Sequence, residues 1–270
     1  MLGKNSKYII AEAGINHGGD FKKALELVDE AKEGGADAIK FQTYISEKRI
    51  KKKNPVFKIL KKCELKFEEF AKLKKYCDKK KIQFFSTPFD KESVKLLNKL
   101  KVKLFKIASF DISNYDLIRE ISKTRKPVII STGMASLKEI DKIYNFFKKK
   151  KIKTNLLHCI SAYPLDEKDS RLQNILFLKK RYDCQIGLSD HTNDIKTSLI
   201  AYTMGARVFE KHFMLKNDKS CVDYPVSLDK DQFKKMRKEM EGIDRIIGKV
   251  EFGIKKNEKG SKQFKRKKII

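Results

Sequence analysis

YIIAEAGINH (residues 8–17) opens apolar and closes on a carboxylate, an amide and an imidazole. The same grammar recurs in AIKFQT (38–43), QFFSTPFD (83–90), LFKIASFD (104–111), PVIISTGM (127–134), NLLHCISAYP (155–164), QIGLSDHT (185–192) and RVFEKHFM (207–214). All four histidines of the chain fall in these runs. Core packing alone has no use for polar residues gathered at one end of each apolar run. Eight parallel strands that carry their functional groups at one common end do.

Amphipathic segments fill the gaps. FKKALELVDEAKEGG (21–35) sets Ala24, Leu25, Leu27, Val28 and Ala31 on one face and stops at glycines. KFEEFAKLKKYCDKKK (66–81), KESVKLLNKLK (91–101), NYDLIREISKT (114–124), SLKEIDKIYNFFKKK (136–150), DIKTSLIAYTMG (194–205) and DQFKKMRKEMEGIDRIIG (231–248) behave alike. Segment 171–182 is a poorer helix but stands where one is needed. Strand and helix thus alternate eight times, which specifies an α/β fold of the (β/α)8 TIM-barrel type over residues 1–250. An open doubly wound sheet would want a glycine-rich dinucleotide loop, and the sequence has none. The longest connection, 43–83, holds a polar basic stretch at 46–55 and reads as a lid over the functional face or as a surface insertion. The lysine-rich stretch 251–270 is expected to be extended or disordered on its own.

Composition narrows the classes. No run approaches the roughly 20 apolar residues of a membrane span, and the N-terminus lacks a signal-peptide pattern, so a cytoplasmic protein without membrane contact is expected. Five scattered cysteines (63, 77, 159, 184, 221) with no CxxC pair speak for a reducing compartment. The net charge of +28 comes from 54 lysines and only nine arginines, the lysines sitting mainly on helical faces. Base-reading proteins favour arginine and carry recognisable motifs, so nucleic acid is not the expected partner. The field would still gather an anionic substrate.

The strand ends offer Glu12, Asn16 and His17; Lys40 and Gln42; Ser86 and Thr87; Lys106, Ser109 and Asp111; Ser131 and Thr132; His158, Ser161 and Tyr163; Ser189, Asp190 and His191; Glu210 and His212. Lys40 and Lys106 interrupt apolar strands, and a buried lysine needs a partner. That partner is either a carboxylate such as Glu12 or Asp111, or an oxyanion ligand held together with Thr87, Ser109, Ser131 and Ser189. His191 and His212 end adjacent strands near Asp190 and Glu210, so their rings can converge on a divalent metal. His158, deeper in the barrel, is read as structural. Oxyanion, metal and spare carboxylates together suit carbonyl activation with phosphate chemistry.

AEAGINHGG (11–19), IKFQT (39–43), STPFD (86–90), FKIAS (105–109), STGM (131–134), LLHC (156–159) followed by Tyr163-Pro164, GLSDHT (187–192) and EKHF (210–213) resemble, in this order, the sialic acid synthases. That family makes N-acetylneuraminate, legionaminate and pseudaminate, and the resemblance spans about residues 8–250. It implies condensation of phosphoenolpyruvate with an N-acetylated amino sugar such as N-acetylmannosamine. It also implies a Mn2+ or Mg2+ ion held by the positions of His191 and His212, and a homodimer. By position it assigns phosphoenolpyruvate to Lys40, Thr87, Lys106, Ser109, Ser131, Ser161 and Ser189, and the sugar to Gln42, Tyr163 and Asp223. Glu12, Asp111 and Lys106 take the catalytic positions.

Asp111 stands where the neuraminate enzymes carry Glu, and Ser161 where they carry Asn. The family also continues into a small antifreeze-like domain that delivers an arginine to the partner's sugar site, whereas KGSKQFKRKKII (259–270) resembles the linker into it. The expectation is therefore a barrel whose sugar side lacks that arginine. The alternatives are a barrel that binds phosphoenolpyruvate without turnover and a related phosphoenolpyruvate–sugar synthase.

Overall fold

A computed structural model describes residues 7–266. Eight parallel strands form the barrel: β1 (Tyr8–Gly14), β2 (Ala38–Thr43), β3 (Gln83–Pro88), β4 (Phe105–Ile107), β5 (Val128–Ser131), β6 (Thr154–Cys159), β7 (Ile186–Asp190) and β8 (Val208–Phe213). They pair in the order β3-β2-β1-β8-β7-β6-β5-β4, and β3 lies against β4 at the remaining seam. A two-residue strand, β9 (Ser227–Leu228), adds to β8. The helices are α1 (Phe21–Glu33), α2 (Ser46–Arg49), α3 (Phe57–Cys63), α4 (Phe67–Lys80), α5 (Lys91–Lys99), α6 (Tyr115–Lys123), α7 (Leu137–Lys149), α8 (Gln173–Arg181), α9 (Lys196–Thr203) and α10 (Lys230–Ile247). The expected alternation holds, including α8 in the poorer segment.

Local chemistry explains the elements. Asp20 caps α1 by accepting from the Lys22 and Lys23 amides, and Ala24, Leu27, Val28 and Ala31 recur at helical spacing on its buried face. Ser136 and Glu139 form a capping box at the start of α7. Lysines fill the outer faces, several in ion pairs, as Lys74 is with Asp78 within α4 and Lys230 of α10 with Glu33 of α1.

The strands' period of two sorts their side chains into two cores. Outward residues pack against the helices in one large cluster that includes Ile9, Phe41, Phe84, Phe105 and Phe209. Inward residues Tyr8, Ile10, Ala38, Phe85, Ile129, Leu157 and Val208, with Leu104, plug the lower barrel. Fully burying side chains such as Phe85 or Leu157 stabilises the fold by roughly 1.5–3 kcal/mol each. Two residues further along each strand, the inward positions turn polar: Glu12, Lys40, Thr87, Lys106, Ser131 and Glu210.

The long connection after β2 is more ordered than a polar insertion. Tyr44, Leu60 and Cys63 pack with Ile15 into a small separate core. The Tyr44 hydroxyl donates to the Leu60 carbonyl at 2.9 Å, and Glu64 and Asp90 accept from the Ser46 and Ile45 amides. The tail also departs from expectation: Lys256–Glu258 and Gly260–Phe264 form exposed 3-10 turns rather than extended chain. The end of the tail, from 267, lies outside the described residues. Among the described residues no helix is long and apolar enough to cross a membrane.

Candidate active site

The polar inward layer lines one cavity at the C-terminal mouth of the barrel. Its floor is a chain of buried charges. Lys40 Nζ lies 2.6 Å from Glu12 Oε2 and 3.5 Å from Glu210 Oε2, and donates to Thr87 Oγ1 at 3.0 Å. Lys106 Nζ lies 3.5 Å from Glu210 Oε1 and donates to Ser131 Oγ at 2.7 Å. Ser189 donates to the same Glu210 oxygen at 3.0 Å. The carboxylate reading of the strand lysines holds here: Glu12 and Glu210 neutralise them, and the Thr87 and Ser131 hydroxyls stand beside them. Asp111 is not one of those carboxylates. Glu210, read from sequence as a neighbour of the histidines, bridges the two lysines, because β2, β4 and β8 converge across the interior.

Burial alone would lower the Lys40 ammonium's pKa, but Glu12 and Glu210 outweigh it and hold the group above the usual lysine value. Burial lowers Lys106, and Glu210 offsets only part of that while Lys40 adds to it. Glu210 is kept ionised: burial opposes this, and Lys106, Lys40 and the Ser189 hydroxyl override it.

The other wall holds the imidazoles. The His191 and His212 rings lie 5.4 Å apart. Tyr163 packs over His191 at 4.1 Å and meets His212 at 5.8 Å. His191 Nδ1 donates to the Ile160 carbonyl at 2.7 Å, and His212 Nδ1 faces Asp223 Oδ2 at 3.2 Å. Asn16 fixes the Asp223 loop by donating to Phe213 O and Ser227 Oγ and accepting from the Asp223 amide. Gly14, at φ +52°, ends β1 where a Cβ would crowd Glu12, Gln42 and Asp223 within 3.3–3.5 Å. Among the described residues no group of three or more His, Cys, Asp or Glu is arranged to hold a metal ion.

Several rim candidates fall outside this cavity. Asp190 is the clearest: it points away from His191 toward α9, where it accepts from Thr197 Oγ1 (2.6 Å) and Ser198 Oγ (2.8 Å) and pairs with Lys211 at 3.3 Å. Adjacent residues on a strand face opposite ways, so it cannot support the histidine pair. His158 is structural as expected, but it faces outward rather than into the barrel, donating to Ser170 O at 2.7 Å. Ser86 and Thr132 likewise bond the backbone at Phe41 and Leu157. Asp111 sits on the turn after β4, takes a hydrogen bond from Asn114 at 2.8 Å, and leaves the cavity wall to Phe110. Ser161 lies behind the wall, 3.9 Å from Cys159 Sγ. Ser109 lines the cavity and accepts from the Gly133 amide at 3.0 Å.

Two lining residues escape a reading based on strand ends. Cys159 faces inward between Ser109 and His191, which hold its thiol below the usual value against the opposing effect of burial. Arg49 enters from the connection after β2, stacks over Phe89 (3.7 Å) and Tyr44 (4.6 Å), and donates to Gln42 Oε1 at 2.9 Å. The signal for Arg49 was its type: an arginine in a chain with 54 lysines and nine arginines. Arg49 thus brings an arginine to the cavity from a loop, where no strand supplies one.

Comparison with known proteins agrees with this geometry. The sequence model of the NeuB family matches residues 27–252. The chain is 43% identical over 242 residues to an uncharacterized protein of Methanocaldococcus jannaschii, covering 89% of this chain and 72% of the relative. It is 38% identical over 272 residues to the N,N'-diacetyllegionaminic acid synthase of Campylobacter jejuni, covering 94% and 80%. The N-acetylneuraminic acid synthetase structure from Leptospira borgpetersenii, in complex with citrate, superposes with a TM-score of 0.92 at 39% identity, covering 97% of this chain and 92% of that one. A (β/α)8 barrel with this mouth, matched over most of its length, belongs to the NeuB family.

Proposed function

We propose that the chain is a nonulosonic acid synthase that condenses phosphoenolpyruvate with an N-acetylated hexose to give a nine-carbon 2-keto acid and phosphate. The observation that carries the reading is the pair of buried lysines on the cavity floor, Lys40 and Lys106, which donate to Thr87 and Ser131, with Ser189 on the Glu210 between them. Point charges with hydroxyl donors suit a phosphate and a carboxylate on one small molecule. Carbon 3 of phosphoenolpyruvate would form the new bond to the sugar aldehyde carbon. Water would then add at carbon 2, and the C–O bond to phosphate would break. Glu12, bonded by Gln42 Nε2 at 3.4 Å and paired with Lys40, would orient that water or the sugar hydroxyls.

His191 and His212 fit a divalent cation, Mn2+ or Mg2+, which when bound would polarise the aldehyde oxygen. The fit rests on their outer partners. A carbonyl can only accept, so Ile160 fixes the proton of His191 on Nδ1 and leaves Nε2 with its lone pair; the Asp223 carboxylate, 3.2 Å from His212 Nδ1, would favour the same arrangement there. Tyr163 covers His191 and narrows water's access to it. The homodimer belongs to the same proposal. The deciding assay incubates the protein with Mn2+, phosphoenolpyruvate and N-acetylmannosamine or 2,4-diacetamido hexoses; absence of phosphate release with every sugar sinks the proposal.

A further inference from the structure

Arg49 is the cavity residue that neither the strands nor the buried charge chain account for. Its guanidinium plane is fixed by Tyr44 and Phe89, whose rings meet edge to face at 6.3 Å, and Tyr44 is itself anchored on Leu60. Of its five N–H donors, one side-chain bond is made among the described residues, to Gln42. No carboxylate lies within ion-pair distance of it among those residues, and burial lowers its pKa, with Tyr44, Asp111, Asp223 and Glu12 opposing that only in part. A half-buried guanidinium with unused donors facing a cavity is an unmet demand for oxygen acceptors.

We propose that Arg49 is a specificity-determining residue of the sugar half of the site, donating to an uncharged oxygen of the amino sugar, a hydroxyl or an N-acyl carbonyl. The inference rests on the synthase reading above. An uncharged acceptor follows from Lys40 and Lys106, which in that reading already serve the anion. Arg49 also reaches Glu12 through Gln42, so it joins the sugar contact to the carboxylate that orients water. A lysine could not replace it. Stacking between two rings while holding Gln42 and a ligand needs the planar fork.

The test compares wild type with Arg49→Leu, which keeps the aromatic slot filled, and Arg49→Lys, which keeps the charge. Both should raise the KM for the amino sugar by about tenfold or more while the KM for phosphoenolpyruvate stays within about twofold, as loss of a specific polar contact requires. An unchanged sugar KM in Arg49→Leu, or equal rises for both substrates, overturns the assignment. If the wild type releases no phosphate with any sugar, the reaction is wrong. Arg49 is then judged by titrating N-acetylmannosamine into the phosphoenolpyruvate-loaded protein. Binding lost in Arg49→Leu upholds the assignment, and equal or absent binding in both proteins overturns it.

Discussion

Lys40 Nζ lies 2.6 Å from Glu12 Oε2 with both side chains buried, so neither charge meets bulk water. Glu12 and Lys40 are directly paired in the β1–β2 ladder, which fixes the contact by register rather than by side-chain reach. Removing one partner of such a pair strands the other. Lys40→Met should cost about 3–5 kcal/mol in stability, and adding Glu12→Gln should recover a measurable part of it. Urea unfolding of the two single variants and the double variant gives the coupling energy. Additive losses would show that the pair does not act as a unit.

Lys106 offers a test of the proposed anion site. Ser131 Oγ accepts from Lys106 at 2.7 Å and holds the ammonium toward the cavity. Ser131→Ala should raise the KM for phosphoenolpyruvate about tenfold to a hundredfold, the usual range for a hydrogen bond to a charged group. The KM for the amino sugar should barely move. Steady-state kinetics with each substrate varied in turn decides it, and a rise confined to the sugar would remove Ser131 from the anion site.

The barrel was legible because two periods coexist in the chain: two in the strands and 3.6 in the helices between them. The polar cap on each apolar run follows from inward positions leaving the plugged layer of Ile10, Phe85 and Leu157 for the mouth. Which polar residue faces inward required the phase of each strand, and Asp190 and His191 show the cost of ignoring it. Glu210 between Lys40 and Lys106 depends on barrel closure, a non-local fact. Arg49 depends on the packing of Ile15, Tyr44, Leu60 and Cys63, which sets the path of its loop. No local pattern encodes that path.

The glycine of the STGM motif has a steric reason that can be tested. Its amide donates to Ser109 Oγ, and a Cβ at Gly133 would collide with Ser161 Oγ and sit 2.8 Å from Ser109 Oγ. Gly133→Ala should destabilise by about 1–3 kcal/mol, the usual range for overpacking. It should also weaken phosphoenolpyruvate binding, because Ser109 lines the cavity. Adding Ser161→Gly opens the worst contact and should restore part of the stability. Thermal unfolding of the single and double variants checks this, and no recovery in the double variant would place the strain elsewhere.

His17 should make the fold sensitive to mild acid. Its ring is buried, Nδ1 accepts from the Gly19 amide at 3.1 Å, and Nε2 has no hydrogen-bond partner among the described residues. Burial pushes its pKa from 6.5 down to about 4, with the Gly14 backbone and Asp20 opposing only in part. Between those values the unfolded chain binds a proton that the folded protein refuses. The stability His17 permits is therefore complete above pH 6.5 and lost as pH falls toward 4, with a slope of up to about 1.4 kcal/mol per pH unit. His158, lowered by burial in the same direction, adds to the slope. His17→Asn keeps an acceptor for Gly19 and removes the titration. Urea midpoints taken at intervals from pH 7 to pH 5 should fall less steeply in the variant than in the parent, and parallel curves would clear His17 of any part in acid sensitivity.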